Sequence, residues 1–297
     1  MKLSYLSCLT CTLLAACGVD PGGPAPGGEN IGALPAGGAP KSVTTRELTS
    51  ANFTSGQTSF FEWTQGSPTV SMFGDSTGPC AVVQVGGHFE GDGEEVYLYD
   101  SSGTWSLTGT SGQTGVYAWA GCTQWSSFNG PVQWYVWSTT PAGVSATTKN
   151  GSIWFGTTDL WGNNAFCFMQ GMSGHFSDSA TWVSIYQSPV PTGSWYLQAQ
   201  EDFGPGIWTI RGYAGCVALT PINPLSLTTQ FSVSIGGSNY VNLPDTNTAF
   251  CALSSVGGNL RTSTAQAGIS VSGTSQQLFV AGSSPLYASA QCMYFAQ

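Results

Sequence analysis

The sequence predicts an all-β protein built from three tandem, related repeats, each a small β-sandwich or partly open barrel with one internal disulfide. Three observations predict it. Six cysteines are spaced in a recurring pattern, a Gly-x-Phe motif recurs after alternate cysteines, and apolar residues alternate with polar ones. That period of two belongs to half-buried strands. No run after residue 42 shows helical periodicity.

The chain has nine cysteines. Setting aside Cys8, Cys11 and Cys17 leaves Cys80, Cys122, Cys167, Cys216, Cys251 and Cys292. An even set in an exported chain indicates three disulfides. CAVVQVGGHFEG starts at Cys80, CFMQGMSGHFSD at Cys167 and CALSSVGGNLRT at Cys251. In this register Val85, Met172 and Val256 coincide. So do Gly87, Gly174 and Gly258, and then Phe89, Phe176 and Leu260. The second halves end VYAWAGC, IRGYAGC and LYASAQC. Their alternating small residues (Ala118 and Ala120; Gly212 and Ala214; Ala288 and Ala290) require backbone or a large aromatic packed close against them. The expected pairs are Cys80–Cys122, Cys167–Cys216 and Cys251–Cys292, with separations of 42, 49 and 41 residues. Loops of that length contribute roughly 3–4 kcal/mol each in the chain-entropy picture. The alternative is that the cysteines cross-link neighbouring repeats.

The repeats span 43–127, 128–225 and 226–297. SFFEW and VSMF precede Cys80, VQWYVW and SIWF precede Cys167, and QFSVSI and YVNL precede Cys251. VYLY at 96–99 and VSIY at 183–186 sit at equal offsets. Each unit thus holds about six short strands, divided by Asn-Gly, Gly-Asp-Gly and Ser-Gly turns. The short connections SSFNG and TPINPL favour compact packing of neighbours. A string of units and a pseudo-threefold assembly both remain compatible with the sequence. The pattern of Cys, apolar run, Gly-x-Phe, Gly-x-Trp-x-Leu and Cys-ended strand resembles repeat modules of secreted proteins from predatory and gliding bacteria. That resemblance implies no function.

The N-terminus reads differently. Lys2 precedes a mostly apolar run from Leu3 to Ala16, the pattern of a secretory signal. It is short of the roughly 20 residues a membrane-spanning helix needs. Leu14-Ala15-Ala16-Cys17-Gly18 resembles the lipobox of bacterial lipoproteins. The resemblance implies a signal peptide at 1–16, cleavage before Cys17 and lipidation of Cys17, which anchors the chain to a membrane. Gly18 in place of Asp implies sorting to the outer membrane. The Gly/Pro-rich stretch that completes 17–42 is a tether. The expected location is the outer membrane or cell surface of a Gram-negative bacterium.

Composition narrows the function. Charged residues are 7% of the chain, and the formal net charge is -9. Loss of Lys2 with the signal leaves five basic residues, which disfavours nucleic-acid binding. With 11 Trp, 11 Tyr and 15 Phe, the chain has the aromatic content of a folded protein. His88 and His175 occupy equivalent repeat positions that Asn259 fills in the third. They suit local turn hydrogen bonds better than a catalytic triad or a zinc site, and no catalytic residue, metal ligand set or cofactor is assigned. Glu90, Asp92, Glu94 and Glu95 form the densest acidic patch. They are a weak Ca²⁺ candidate against the simpler alternative of a hydrated hairpin tip. Glu62, Glu94, Glu95 and Glu201 are the carboxylates a glycosidase would draw on, but nothing in the sequence pairs them.

The Trp cluster Trp119, Trp125, Trp134, Trp137, Trp154 and Trp161 is dense, and no Trp follows Trp208. Alternating strands cannot bury all these rings on one face. Exposed Trp and Tyr among Ser, Thr, Asn and Gly suit glycan or protein surfaces. The first functional expectation is therefore a lipid-anchored adhesin or glycan-binding module displayed at the cell surface. The alternative is a structural or assembly subunit of an envelope or appendage, with self-assembly as an option. A secreted hydrolase is a third.

Overall fold

A computed structural model describes residues 58–74, 78–91, 93–100, 103–123, 165–188, 194–200, 210–218, 230–235, 237 and 239–294, and the backbone of 133–138 and 150–155. The described chain is all-β. Its first strands are β1 (Thr58–Thr64), β2 (Val70–Gly74), β3 (Cys80–Gly86), β4 (Glu95–Asp100), β5 (Thr104–Thr110) and β6 (Tyr117–Thr123). Next come β7 (Gln133–Ser138), β8 (Asn150–Phe155), β9 (Ala165–Ser173), β10 (Trp182–Ser188), β11 (Ser194–Gln200) and β12 (Arg211–Ala218). The last are β13 (Phe231–Ser234), β14 (Tyr240–Leu243), β15 (Ala249–Gly258), β16 (Gln266–Ser272), β17 (Ser275–Ala281) and β18 (Leu286–Tyr294).

These strands form three six-stranded sheets. Sheet I runs β1-β6-β3-β16-β17-β14, sheet II β2-β5-β4-β9-β12-β7, and sheet III β13-β18-β15-β10-β11-β8. All the described pairings are antiparallel, as the hairpin-rich sequence requires. The sheets do not respect the sequence boundaries expected for self-contained units. Each joins three strands from one stretch of chain to three from another, through the junctions β3–β16, β9–β4 and β15–β10. The cause lies in β3, β9 and β15, the strands that carry Cys80, Cys167 and Cys251. They pair on one side with β6, β12 and β18 respectively, and each leaves its other edge free over its C-terminal half. The following hairpin of a different stretch satisfies that edge.

Alternation fixes the faces. Val96 and Leu98, Val183 and Ile185, Leu197 and Ala199, and Leu278 and Val280 are buried, and all belong to one core. The small residues near the cysteines meet bulky partners, a large aromatic at Ala118 as expected and aliphatic side chains at Gly212 instead. Trp63, almost fully buried, stands opposite Ala118, and Val183 and Leu197 occupy the space over Gly212. Cys80–Cys122 and Cys251–Cys292 are disulfides joining directly paired residues of β3–β6 and β15–β18. Cys167 is disulfide-bonded too, and its backbone stands opposite Cys216 in the β9–β12 ladder. Three residues after each of Cys80, Cys167 and Cys251 the ladder shifts register, at Val83, Gln170 and Ser254. Such bulges bend a strand, and β3, β9 and β15 pack against one another where they bend.

At the ends of these strands the chain closes a ring. Phe89 N–H donates to Leu260 O (2.7 Å), Leu260 N–H to Phe176 O (3.0 Å), and Phe176 N–H to Phe89 O (2.8 Å). All three side chains are fully buried, with Phe89 and Phe176 edge to face. Two residues earlier, Gly87, Gly174 and Gly258 have φ of 103°, 117° and 105°, a region that only glycine enters at low cost. Their N–H groups donate to Ala265, Glu94 and Thr181 O. A Cβ on Gly87 or Gly258 would collide with the backbone of Gly115 or Pro285.

Candidate functional site

Directly paired residues of an antiparallel ladder share a face, so rows can be read across each sheet. At each junction one outward row crosses from one stretch of chain to the other. In sheet I it contains Tyr117–Gly86–Gln266, in sheet III Tyr287–Gly257–Trp182, and in sheet II Arg211–Ser173–Glu95. In sheets I and III the tyrosine ring lies over the glycine. A Cβ on Gly86 would come within 2.6 Å of the Tyr117 ring, and one on Gly257 within 2.5 Å of both Tyr287 and Trp182. Glycine weakens a strand, but a ring laid over it restores packing. The Tyr117 hydroxyl donates to Gln266 Oε1 (2.6 Å) and accepts from Gln84 Nε2 (3.2 Å), closing a neutral network across the junction. Burial raises the Tyr117 hydroxyl's pKa.

The outer face of sheet II is charged and self-contained. Tyr213 O–H donates to Glu95 Oε1. Tyr97 stacks on Tyr213 (5.5 Å between centroids) across Gly171, and Tyr99 leans on Tyr97. Burial, then Glu95, then Tyr99 push Tyr97 up to about 12. Tyr213 rises still further, by burial first and the Glu95 carboxylate second. The polar atoms here are engaged with one another.

Sheet III differs. None of its six strands contains a charged residue, whereas sheet I carries Glu62 and sheet II carries Glu95, Asp100 and Arg211. One outward row crosses five strands as Ser232–Ser289–Ser255–Ser184–Gln198, and Ser152 of β8 holds the next register position. Ser232 and Ser289 hydroxyls bond at 2.9 Å, and Ser255 Oγ donates to Val183 O (3.0 Å). On one side of this row stand Tyr287 and Trp182. On the other stand Tyr186 and Tyr196, stacked with centroids 5.3 Å apart. Trp182, Tyr186, Tyr196 and Tyr287 are all half-buried. Small hydroxyl side chains between rows of large rings make a shallow trough with a hydrogen-bonding floor. Its β13–β18 end is a depression lined by Ser232, Ser234, Tyr287 and Ser289. The five strands from β13 to β11, at about 4.8 Å spacing, give it a length of about 19 Å.

The sequence-predicted site residues scatter. Trp119 is on β6 in sheet I, half-buried against the core. Trp134 and Trp137 belong to β7 in sheet II, and Trp154 to β8 in sheet III at the register position opposite Tyr196. The side chains of Trp134, Trp137 and Trp154 lie outside the described residues, as do Trp125 and Trp161. The acidic patch is divided among partners. Glu90 pairs with Arg261 (3.6 Å), Glu94 is buried with its carbonyl accepting from Gly174, and Glu95 accepts from Tyr213. Asp92 and Glu201 lie outside the described residues. Among the described residues no group of three or more His, Cys, Asp or Glu is placed to hold a metal ion.

His88 and His175 flank the Phe89–Phe176–Leu260 ring. Asn259, in the equivalent place, accepts from Arg261 N–H (3.2 Å), the turn bond expected there. The dense tryptophans of the sequence do not mark the tyrosines and serines of sheet III. The sequence signal is the absence of charge from β10, β11, β15 and β18 together with Ser184, Gln198, Ser255 and Ser289 at outward positions. The chain matches no protein-family model and no curated protein.

Proposed function

We propose that this chain is a lipid-anchored glycan-binding protein of the cell surface, an adhesin-like module that holds its ligand on the outer face of sheet III. The observation that carries this is the uncharged hydroxyl row flanked by Trp182, Tyr287, Tyr186 and Tyr196. Sugars offer hydroxyls that donate and accept, beside apolar C–H faces. Serine and glutamine match the first and aromatic rings the second. The disulfides support an oxidising compartment, consistent with export through the 1–16 signal and anchoring at Cys17.

We read the described chain as three related units arranged about a pseudo-threefold axis. Support comes from one strand order recurring with the numbering advanced by six, from bulges at equal offsets, and from the closed Phe89–Leu260–Phe176 ring. A second reading, assembly with partner chains, draws on Tyr240. It is 62% exposed on β14, an edge strand of sheet I, and exposed edges template strand addition.

The test is glycan binding by the full chain, exported through its own signal and extracted in detergent. Binding to a glycan class that falls at least about tenfold in the Tyr186→Ala, Tyr196→Ala double variant supports the proposal. Binding unaffected by that variant, or no glycan binding with the disulfides intact, contradicts it.

A further inference from the structure

We infer that the sheet III trough takes an uncharged, unbranched polysaccharide laid across the strands, in preference to an acidic glycan or a short sugar. This deepens the glycan-binding reading and rests on it. Three features select the occupant. The first is charge. Six strands without one Lys or Arg offer no cation for a carboxylate or sulfate group, the Asp178 carboxylate near Tyr287 repels an acidic glycan further, and burying an unpaired charge is costly. The second is extent. The hydroxyl and amide row runs from edge strand β13 to Gln198 of β11, with Ser152 of β8 at the next register position. Among the described residues no further strand pairs beyond β13 or β8, so a chain can run through without presenting a terminus. The third is depth. Sites for small molecules enclose most of the ligand surface, whereas this trough is shallow and walled only by side chains. Each sugar is held weakly, and affinity accumulates along the chain. Ser289 and Ser255, both nearly buried, set the floor. Trp182 and Tyr287 face the stacked Tyr186–Tyr196 pair across it.

The experiment is native affinity electrophoresis of the full, detergent-extracted chain through gels containing hydroxyethylcellulose, a linear mannan or polygalacturonate, with free glucose and mannose as competitors. Retardation by a neutral polymer is expected. It should resist competition by the monosaccharide at about a hundredfold mass excess and change little up to about 0.5 M salt. Ser184→Tyr, which fills the middle of the floor, and Gln200→Arg, which adds a charge beside it, should each weaken retardation at least about tenfold. Ser270→Tyr on the outer face of sheet I should leave it unchanged.

Competition by the monosaccharide overturns the extended-chain inference and leaves the glycan-binding reading standing. So does a salt-sensitive preference for polygalacturonate. Retardation that neither trough variant weakens, in proteins that melt with wild type, moves the site off sheet III and overturns the inference. If no polymer in the panel retards the chain, the inference falls. Whether the broader reading falls with it is decided by the separate glycan-class binding test.

Discussion

The outer faces of sheets II and III are built on one strand order and diverge in chemistry at matching positions. In sheet II the junction row holds Arg211, Ser173 and Glu95, and Tyr213 spends its hydroxyl on Glu95. In sheet III the corresponding row holds Tyr287, Gly257 and Trp182, with serines beside it that bond across neighbouring strands, Ser232 to Ser289 and Ser255 to Val183 O. Both rows fasten one stretch of chain to another. Sheet II does so with charge-assisted and stacked contacts that consume its polar atoms. Sheet III does so by packing rings over a glycine and by the Ser255 hydroxyl's bond to Val183 O, while Ser232, Ser184 and Gln198 of its polar row keep exposed surface. A face can therefore be specialised by how its junction is closed, with no change in backbone.

The contrast can be broken most severely at Gly257. Gly257→Ser brings the sheet II residue into sheet III, where its Cβ would lie 2.5 Å from Tyr287 and Trp182. A loss of about 2–4 kcal/mol is expected in denaturant unfolding. The reverse change, Ser173→Gly in sheet II, should cost only about 1 kcal/mol. Equal losses would mean that the two junctions close alike. Next in size is Tyr213→Phe, which strips Glu95 of its donor and should cost about 1–3 kcal/mol at neutral pH.

The same network predicts a pH dependence. Tyr97 and Tyr213 titrate above the ordinary value of 10.0 when folded, Tyr97 at about 12. A raised acid pKa means that the native state favours the neutral phenol. That stability is complete below about pH 10 and is lost as pH climbs through 12. The double variant Tyr97→Phe, Tyr213→Phe should shift the alkaline unfolding midpoint, followed by circular dichroism, to higher pH. An unchanged midpoint would discount the network. The smallest effect belongs to Tyr186→Ala, which should cost about 1 kcal/mol of stability while its effect on binding is far larger.

Much of the fold was legible because the repeated features are local. The cysteine offsets located Cys80–Cys122 and Cys251–Cys292. The alignment of Gly87, Gly174 and Gly258 with Phe89, Phe176 and Leu260 marked the turns that meet in the hydrogen-bonded ring. What the sequence concealed is which hairpin completes which sheet. Pairing β3 with β16 or β15 with β10 joins residues far apart in the chain, and nothing local to either strand encodes that partner. The candidate site was hidden for the same reason. Its polar row takes one residue from each of five strands, four serines and Gln198, and each alone is an ordinary outward residue. The tryptophans drew attention by number, yet Trp119, Trp137 and Trp154 belong to three different sheets.

Hydroxyl-radical footprinting of the full chain, with and without a saturating neutral polysaccharide, tests the assignment of binding to sheet III most directly. Protection of Trp182, Tyr186 and Tyr196, with Tyr97 and Tyr99 of sheet II unchanged, is the predicted result. Protection of Tyr97 and Tyr99, with the sheet III rings still oxidised at the unbound rate, would contradict it.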